Sequence, residues 1–380
     1  MVPVMDMPRS SGKSWRMDAQ AVIAQLAGAF ALPSELSEAR PWGNGHINDT
    51  YRARWCDDSD ERLVLHQRIN GSVFRNRAGL MANIDLVCRE LERSGVPPHE
   101  RLQLVPTSAG ESVHIDAQGE WWRTYVFVAD TVTHEQVTDP AQARAAAQSF
   151  GAFLRHLEAV PGSQLVETIP DFHHSPRRVA ACLAAVEADS CGRAAECAAE
   201  IAFVRERAEF AHCVVDAIAA GSVPVRVTHN DTKINNVLFD ASGMRGQCVI
   251  DLDTVMPGSL LYDLGDLLRT STSTAAEDEA DTTLIDVDLA RVAAVISGYG
   301  DSCGSIMTPG ERELLAACGR LITFEIGTRF LTDHLQGDSY FKIHHPGHNL
   351  QRARAQFALV AAFEREASAI ADICAEAFSA

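Results

Sequence analysis

The chain reads Val227-Thr-His-Asn-Asp-Thr-Lys-Ile-Asn-Asn-Val-Leu-Phe-Asp240 and, after the turn-forming residues Ala241-Ser-Gly243, continues to Cys248-Val-Ile-Asp-Leu-Asp253. Short apolar runs flank the polar segment and follow it, which is the pattern of short buried strands joined by turns. We therefore predict a strand, a polar loop and then a two-stranded hairpin. Such a layout gathers polar side chains from the loop and from the hairpin at one edge of a small sheet.

Three oxygen-bearing side chains in this stretch suit phosphoryl transfer from a nucleotide. Asp231 and Asn236 lie on the same loop, and Asp251 ends the following apolar strand. Mg²⁺ prefers oxygen ligands and takes few of them from the protein, so Asn236 and Asp251 are the predicted metal ligands. Asp231 would orient the attacking hydroxyl and accept its proton, and Lys233 would reach the γ-phosphate. The order His-x-Asp-x-x-x-x-Asn, followed by a strand-end Asp, resembles the catalytic loop of kinases.

Composition limits the classes of protein to which the chain can belong. Its 380 residues exceed one ordinary core, so we expect two lobes, and 46% apolar residues are enough to fill both. The net charge of −18 argues against a nucleic-acid partner. Ten scattered cysteines without a C-x-x-C pair indicate neither zinc nor disulfides, and no apolar run is long enough to cross a membrane. We expect a cytoplasmic protein, either a monomer or a weak homo-oligomer.

The N-terminal part carries a glycine-bearing turn between two expected strands. Glycine lets backbone N–H groups approach phosphate oxygens, so this turn is a candidate nucleotide cover. The alternative is an ordinary hairpin turn. The candidate nucleotide-binding residues here are Gly43, Gly45, His46 and Asn48.

A cation follows on the next expected strand, where a kinase places the lysine that pairs with the nucleotide phosphates. Arg68 is the cation available, although an exposed arginine at a strand end is an equally good interpretation. A helix is expected from about residue 78 to 93, with Asp85 and Glu90 as possible partners of this cation. The sequence does not choose between them.

The expected strand at residues 121–128 leads to a break at residues 129–131, where a kinase has its hinge. Tyr125 and Phe127 are therefore candidate nucleotide contacts, with an ordinary core strand as the alternative. We place the lobe boundary here. Residues 1–128 form the predicted nucleotide-binding lobe with an N-terminal helix and a β-sheet, and residues 129–380 form a helical lobe with the catalytic loop and the acceptor site.

Three features of the second lobe leave alternatives open. Asp263 and Asp266, on an expected helix after the hairpin, are candidates to cap or brace the catalytic loop. The Ser-, Thr- and acid-rich segment 270–283 is expected to be a mobile loop. The paired histidines His173-His174 lie in a proline-containing segment and indicate no metal site.

Near a helix end, Arg329 and Tyr340 could hydrogen-bond a polyhydroxylated ligand. The spacing alone favours a different interpretation. Arg329 and Asp333 are four residues apart and could pair on a helix face.

Taken together, these strings resemble the aminoglycoside phosphotransferase-like superfamily and, within it, the N-acetylhexosamine 1-kinases. The catalytic-loop string His229–Asp240 with Cys248–Gly258 carries most of the resemblance. Further matches are Gly45-His-Ile-Asn-Asp-Thr-Tyr51, His66-Gln-Arg-Ile-Asn70 with Val73-Phe74, Leu80-Met-x-Asn-Ile84, Thr168-Ile-Pro-x-Phe-His173, Glu277-Asp-Glu279, and Arg329-Phe-Leu331 with Gly337-Asp-x-Tyr-Phe341.

The resemblance implies an α+β, two-lobed, protein-kinase-like fold with a small, mainly antiparallel β N-lobe and a larger helical C-lobe. It also implies ATP, Mg²⁺ and phosphorylation of the anomeric hydroxyl of N-acetylglucosamine or N-acetylgalactosamine. On the family's pattern Asp231 is the base and also contacts the sugar, as do Arg329 and Tyr340. Arg68 departs from the usual kinase lysine, and aminoglycoside phosphotransferases usually lack a match to Lys233.

Two rival functions remain. One is a kinase of the same fold acting on an aminoglycoside, choline or another small alcohol. The other is a nucleotide-binding pseudokinase that only recruits partners.

Overall fold

The structure is a computed structural model that describes residues 19–43 and 47–378. The described residues divide into two compact units, one comprising residues up to Met81 together with Leu102–Ala129, the other comprising Ala82–Arg101 and Asp130 onward. The first contains an antiparallel β-sheet and the second is mainly helical. The predicted fold class, a kinase-like α+β chain with a β N-lobe and a helical C-lobe, is therefore confirmed.

The first unit is built on a five-stranded antiparallel sheet of order β1-β2-β3-β5-β4. Apolar residues of α1, of the segment after it and of the central strands meet on one face of this sheet and form its core, which includes Ile23, Phe30, Trp55, Val64 and Trp122. The elements, in chain order, are α1 (Ala19–Ala24), β1 (Glu35–Pro41), β2 (Asp49–Cys56), β3 (Glu61–Ile69), α2 (Arg77–Arg93), which continues into the second unit, β4 (His114–Ile115) and β5 (Trp121–Val126).

A fully buried histidine ties the three central strands together. Trp55 Nε1 on β2 donates to His66 Nε2 on β3 at 2.9 Å, and His66 Nδ1 lies 2.7 Å from Thr124 Oγ1 on β5. Because Nε2 accepts, Nδ1 carries the proton and donates to the hydroxyl. Burial lowers the pKa of His66 to about 3, so the ring is neutral near pH 7.

The second unit combines two small sheets with a set of packed helices. β7 pairs with β10, and β8 lies between β6 and β9. The elements are β6 (Thr131–Val132), α3 (Pro140–His156), α4 (Ser175–Ala188), α5 (Ala198–Glu206), α6 (Cys213–Ala219), β7 (Arg226–Thr228), β8 (Val237–Asp240), β9 (Gly246–Val249), β10 (Met256–Gly258), α7 (Leu260–Thr272), α8 (Leu289–Cys303), α9 (Pro309–Glu313), α10 (Leu315–Leu335), α11 (His348–Arg365) and α12 (Ala367–Ala377).

Helix α7 is the central element of this unit. Nearly all its residues are buried, including the charged Asp263, Asp266 and Arg269. Gly265 lets α7 approach α10 closely, because a Cβ at this position would lie 2.5 Å from the carbonyl oxygen of Cys318. The close packing fixes α7, which places its buried carboxylates beneath the loop that follows β7.

Two expectations from the sequence concerned the cysteines and the length of apolar helices. All ten cysteines are free thiols. None of the helices in the described part of the chain combines the length and the hydropathy that crossing a membrane requires.

Candidate active site

The loop between β7 and β8 and the end of β9 lie at the same edge of the small sheet. Val237 faces Val249 in the β8–β9 ladder, and the N–H of Ile250 donates to the carbonyl oxygen of Asn236 at 2.9 Å. Asn236 and Asp251 therefore leave the hairpin at the same end. Asp251 has a left-handed backbone, with φ of 61° and ψ of 60°, which redirects its side chain from the strand's alternation.

Asp231, Lys233 and Asn236 are in direct contact. Asn236 Nδ2 donates to the carbonyl oxygen of Asp231 at 2.8 Å and to its Oδ2 at 3.0 Å. Lys233 Nζ lies 3.1 Å from Asp231 Oδ1. The charge of Asp231, followed by those of Asp266 and Asp251, raises the pKa of Lys233 against the opposing effect of burial. The lysine therefore stays protonated, and both oxygens of Asp231 are oriented.

The donor set at this edge fits Mg²⁺. Because the Asn236 amide nitrogen is committed to Asp231, its carbonyl oxygen remains as the group available to a cation. Asp251 supplies a carboxylate at the same end of the hairpin. Among residues 19–43 and 47–378, no three His, Cys, Asp or Glu side chains gather as a metal site. A site with one amide and one carboxylate oxygen is typical of Mg²⁺, which keeps water and phosphate as its other ligands.

Asp263 on α7 holds the start of the loop through its backbone. The N–H of His229 donates to Asp263 Oδ2 at 2.9 Å, and the N–H of Asn230 donates to Oδ1 at 2.7 Å. Asn230 has a positive φ of 64°, so both carboxylate oxygens fix an unusual backbone turn just before Asp231. Burial raises the pKa of Asp263 to about 6, although the His229 charge and these two N–H groups oppose the shift.

Asp266 braces the residue after the predicted base, so both helix carboxylates hold the loop. The N–H of Thr232 donates to Asp266 Oδ2 at 3.0 Å, and Arg269 Nε donates to Oδ1 at 2.9 Å. Burial alone would raise the pKa of Asp266, but Arg269 beside it holds that pKa below its usual range.

The predicted mobile loop at 270–283 is anchored to this network. Arg269 Nη1 lies 2.6 Å from Glu277 Oε1. His348 Nε2 lies 3.0 Å from Asp278 Oδ2, which ties the same segment to α11. Residues 270–272 still belong to α7. The expected loop is therefore shorter than predicted, and two of its acidic side chains pair with Arg269 on α7 and His348 on α11.

His229, the first residue of the loop, is fully buried and anchors the loop to its surroundings. Its Nε2 lies 2.9 Å from the carbonyl oxygen of Ile250, and its ring packs edge-on against Phe150 at 5.3 Å and Phe153 at 5.9 Å. Since Ile250 precedes Asp251, this bond joins the loop to the strand end that carries the candidate metal ligand.

The predicted acceptor residues lie in an aromatic cluster. The Arg329 guanidinium carbon lies 5.2 Å from the ring centroid of Phe172, 5.6 Å from that of Phe341 and 5.9 Å from that of Tyr340. The Tyr340 side chain belongs to an exposed residue, 66% accessible. Arg329 and Tyr340 are therefore neighbours, as a shared ligand would require.

The ion pair between Arg329 and Asp333, which spacing alone favoured, does not form. Asp333 Oδ1 accepts the N–H groups of Ser339 at 2.9 Å and Tyr340 at 2.8 Å. Its Oδ2 accepts from the N–H of Phe341 at 2.9 Å and from Asn349 Nδ2 at 2.8 Å. Asp333 is thus a buried support for the turn that presents Tyr340, and it is unavailable to Arg329.

His173, to which the sequence analysis assigned no role, links the acceptor cluster to the catalytic loop. Its Nδ1 lies 2.8 Å from Glu325 Oε1, and its Nε2 lies 3.3 Å from the carbonyl oxygen of Asn230. Glu325 Oε2 also accepts from Ser175 Oγ at 2.6 Å. Burial alone would raise the pKa of Glu325, but the net shift is downward because His173 favours the carboxylate. The adjoining Phe172 lies against Arg329, and the Thr168–His173 segment of the resemblance was the available signal.

The candidate nucleotide residues of the first unit occupy a hairpin and its neighbours. Gly43 has a φ of 78°, which favours glycine. Asn48 Oδ1 accepts the N–H of Asn70 at 3.0 Å, which joins the start of β2 to the end of β3. Gly45 and His46 lie outside the described residues.

The cation at the kinase-lysine position pairs with a strand carboxylate. Arg68 Nη2 lies 2.5 Å from Asp49 Oδ2 on β2. The two helix carboxylates suggested as partners are engaged with arginines on α2, since Asp85 lies 2.6 Å from Arg89, and Glu90 lies 2.6 Å from Arg93. Within its own unit, Arg68 therefore has Asp49 as its acidic partner.

The two remaining candidates lie on and after β5. Tyr125 is buried, 4% exposed. Phe127 donates its N–H to the carbonyl oxygen of Leu63 at 2.9 Å and packs edge-on against Trp42 at 5.4 Å.

Comparisons with known proteins place this geometry in context. A model described as "Phosphotransferase enzyme family" matches residues 38–295. A microcompartment-associated aminopropanol kinase is 15% identical with a TM-score of 0.63, over 92% of this chain and 98% of that one. A spectinomycin phosphotransferase in complex with ADP and spectinomycin is 14% identical with a TM-score of 0.57, over 92% and 99%. An ethanolamine kinase from Plasmodium vivax is 13% identical with a TM-score of 0.51, over 84% and 82%.

Proposed function

Because this chain belongs to the phosphotransferase enzyme family, we propose that it transfers the γ-phosphoryl group of ATP to the anomeric hydroxyl of an N-acetylhexosamine. The observation that carries the catalytic part is the geometry of Asp231, whose carboxylate is oriented by Asn236 and Lys233 on a loop braced by α7. Positioning and electrostatics supply most of the rate in phosphoryl transfer, and a braced carboxylate supplies both.

In this proposal Asp231 orients the acceptor hydroxyl and takes its proton as the phosphoryl group moves. Lys233, protonated beside Asp231, balances the charge of the γ-phosphate. The hydrogen bond from Asn236 Nδ2 fixes one oxygen of the base, which leaves Asp231 one preferred orientation towards the acceptor.

Asn236 and Asp251 would hold Mg²⁺ through their side-chain oxygens. When bound, the ion neutralises phosphate charge. The left-handed backbone of Asp251 and the bond from the N–H of Ile250 to Asn236 hold the two ligands at one end of the hairpin without requiring the ion.

The acceptor preference rests on Arg329 and the aromatic rings of Phe172, Tyr340 and Phe341 around it. A guanidinium that makes no salt bridge within the described residues can donate to sugar hydroxyl and amide oxygens, and the ring faces can pack against a pyranose. The same cation repels choline, ethanolamine and the ammonium groups of aminoglycosides, which makes those acceptors the less favoured alternative.

We propose residues 1–128 as the nucleotide-binding lobe and 129–380 as the lobe that holds the catalytic loop and the acceptor. Arg68 is the proposed phosphate contact, although its pairing with Asp49 means that binding must compete with an existing ion pair. The remaining proposed nucleotide contacts are Gly43, Gly45, His46, Asn48, Tyr125 and Phe127.

The product formed from N-acetylglucosamine, ATP and Mg²⁺ tests the proposal. Proton and phosphorus NMR should show a phosphate coupled to the anomeric proton. Parallel reactions with N-acetylgalactosamine, choline, ethanolamine, aminopropanol and an aminoglycoside define the acceptor class. Turnover confined to an amino alcohol would refute the sugar proposal, and ATP binding without turnover on any acceptor would favour a pseudokinase.

A further inference from the structure

Two arginines from different helices converge on one residue in the acceptor cluster. Arg178 on α4 donates to the carbonyl oxygen of Phe172 from Nε at 3.3 Å and from Nη2 at 3.0 Å. Arg329 on α10 lies over the ring of the same phenylalanine at 5.2 Å. Phe172 therefore brings two guanidinium groups together, and most of the N–H groups on both remain available to a ligand.

Neither guanidinium forms a salt bridge among the residues that the structure describes, although the charge of Glu325 acts on both. Asp171 pairs with Arg177, which neighbours Arg178 in sequence. Glu325, one turn before Arg329, is fully buried and takes hydrogen bonds from His173 and Ser175. Because both oxygens of Glu325 are already hydrogen-bonded, the two guanidiniums keep N–H donors that an added anion could use.

The start of α4 adds to the positive potential. This 14-residue helix has no acid in its first turn, where Arg177 and Arg178 lie instead. The N-terminal end of a helix carries partial positive charge, so an arginine there is electrostatically unfavourable. Asp171 forms an ion pair with Arg177, whereas it acts on Arg178 only through its charge, without a salt bridge. Burial lowers the pKa of Arg178, and the charge of Arg329 lowers it further.

We propose that Arg178 and Arg329 form a subsite for an anionic substituent of the acceptor, so that the preferred substrate is a hexosamine carrying a sulfate, phosphate or carboxylate group. The inference rests on the proposed function and narrows its substrate class. Paired guanidiniums are well suited to such oxygens, because each can donate two parallel hydrogen bonds.

The position of the subsite suits an acceptor that also reaches the base. Phe172 adjoins His173, whose Nε2 lies 3.3 Å from the carbonyl oxygen of Asn230, the residue before Asp231. An anion held by the two arginines would therefore fix one end of a sugar whose anomeric hydroxyl faces Asp231.

A positional panel of sugars tests this subsite. Initial rates with Mg²⁺ and ATP are compared for N-acetylglucosamine and for its 3-, 4- and 6-O-sulfates, all of which keep a free anomeric hydroxyl. At least one sulfate should exceed the neutral sugar in kcat/KM by about ten- to a hundredfold, the range of charged hydrogen bonds. The 6-phosphate and the corresponding uronic acid then distinguish the type of anion.

Two variants distinguish a specific anion-binding subsite from a general effect of positive charge near the acceptor. Arg178→Gln should raise the KM for the preferred anionic sugar until the anionic and neutral sugars have similar kcat/KM. The kcat for the neutral sugar should change little. Arg177→Gln, which removes a neighbouring charge already paired with Asp171, should keep the preference. A wild-type enzyme that prefers the neutral sugar over every anionic one, or an Arg178→Gln variant that weakens all acceptors equally, would overturn the inference.

Failure of the proposed function gives a different pattern. If no hexosamine is phosphorylated, the proposed activity fails, and the subsite is then judged by calorimetric binding of the same sulfated sugars. Binding of a sulfated sugar that Arg178→Gln abolishes and Arg177→Gln retains would support the subsite on its own. No binding to wild-type protein would overturn it.

Discussion

The predicted catalytic loop and the acceptor cluster lie in the same unit but differ in whether their charged side chains already have partners. The acceptor cluster consists of Phe172, Arg178, Arg329, Tyr340 and Phe341. Asp231 on the loop, and Asp263 and Asp266 on α7 beneath it, each accept from identified donors in the protein. At the acceptor cluster, Arg178 and Arg329 contact Phe172 and form no salt bridge within the described residues. The loop's charges are satisfied before any ligand arrives, whereas those of the cluster are not.

This contrast predicts which substitutions should cost folding stability and which should cost ligand affinity. A group with protein partners is part of the fold, so its removal leaves buried partners unsatisfied and costs folding free energy. A group without such partners contributes little to the fold, and its removal should cost ligand affinity. Variants in the two regions should therefore produce different ratios of lost activity to lost stability.

The largest effect is expected for Asp231→Asn. The amide cannot accept the acceptor's proton, so kcat should fall by about 10² to 10⁴. The melting temperature should fall only slightly, because the amide oxygen can still accept from Asn236 Nδ2 and the side chain is 27% exposed. Steady-state kinetics and thermal unfolding measure the two quantities. Asp216→Asn, which removes an exposed acid from α6, is the control and should keep its rate. An Asp231→Asn variant with nearly wild-type turnover would exclude Asp231 as the base.

Asp263→Asn should affect stability in a pH-dependent way. The folded-state pKa of Asp263 is raised from 3.8 to about 6, so the folded protein binds this proton more tightly than the unfolded chain. Its contribution to the free energy of unfolding is fully present below pH 3.8 and is lost as the pH rises through 6, by on the order of 3 kcal/mol.

Urea unfolding of wild type and Asp263→Asn at several pH values measures this contribution. Subtracting the variant removes the other titrating groups, including His66. A difference that stays flat between pH 4 and pH 7 would contradict the pKa assigned to Asp263. The variant should also be slower at pH 7, because its amide can accept only one of the two N–H groups of His229 and Asn230.

Arg329→Gln tests the acceptor cluster. The KM for the acceptor should rise about tenfold because a charged donor is lost. Arg329 is partly buried and lies over three rings but forms no salt bridge within the described residues, so the free energy of unfolding should fall by only about 1 kcal/mol. Arg205→Gln on α5 serves as the matched control. A large loss of stability with unchanged KM would mean that Arg329 belongs to the fold.

The smallest effect is expected for Glu277→Gln. Its side chain is 45% exposed, and it contacts Arg269 at the outer end of the network that reaches Thr232 through Asp266. An exposed partner contributes less than about 1 kcal/mol, so kcat should fall at most a few-fold. A loss as large as that of Asp263→Asn would show that charge coupling extends through the whole network.

Local spacing was enough to predict the loop and the hairpin that follows it. The contact between Asn236 and Asp231 and the β8–β9 hairpin involve residues close in sequence, so turn and strand patterns carry the information. The capacity of Asp263 and Asp266 to brace the loop was also readable, because α7 follows the hairpin directly. The prediction for Arg329 was wrong because Asp333, four residues away, could pair equally well with backbone N–H groups, and it does.

The sequence alone indicated phosphoryl transfer, because the spacing of an acid, a lysine, an amide and a strand-end acid is a local property of the loop and the hairpin. Which charges are already paired became known only from the tertiary structure. Asp333 accepts the backbone N–H of Tyr340, and His173 lies between Glu325 and the catalytic loop. Arg178 and Arg329 both contact Phe172. Pairing depends on distances between side chains that the packing of separate helices sets, and spacing along the chain does not encode those distances.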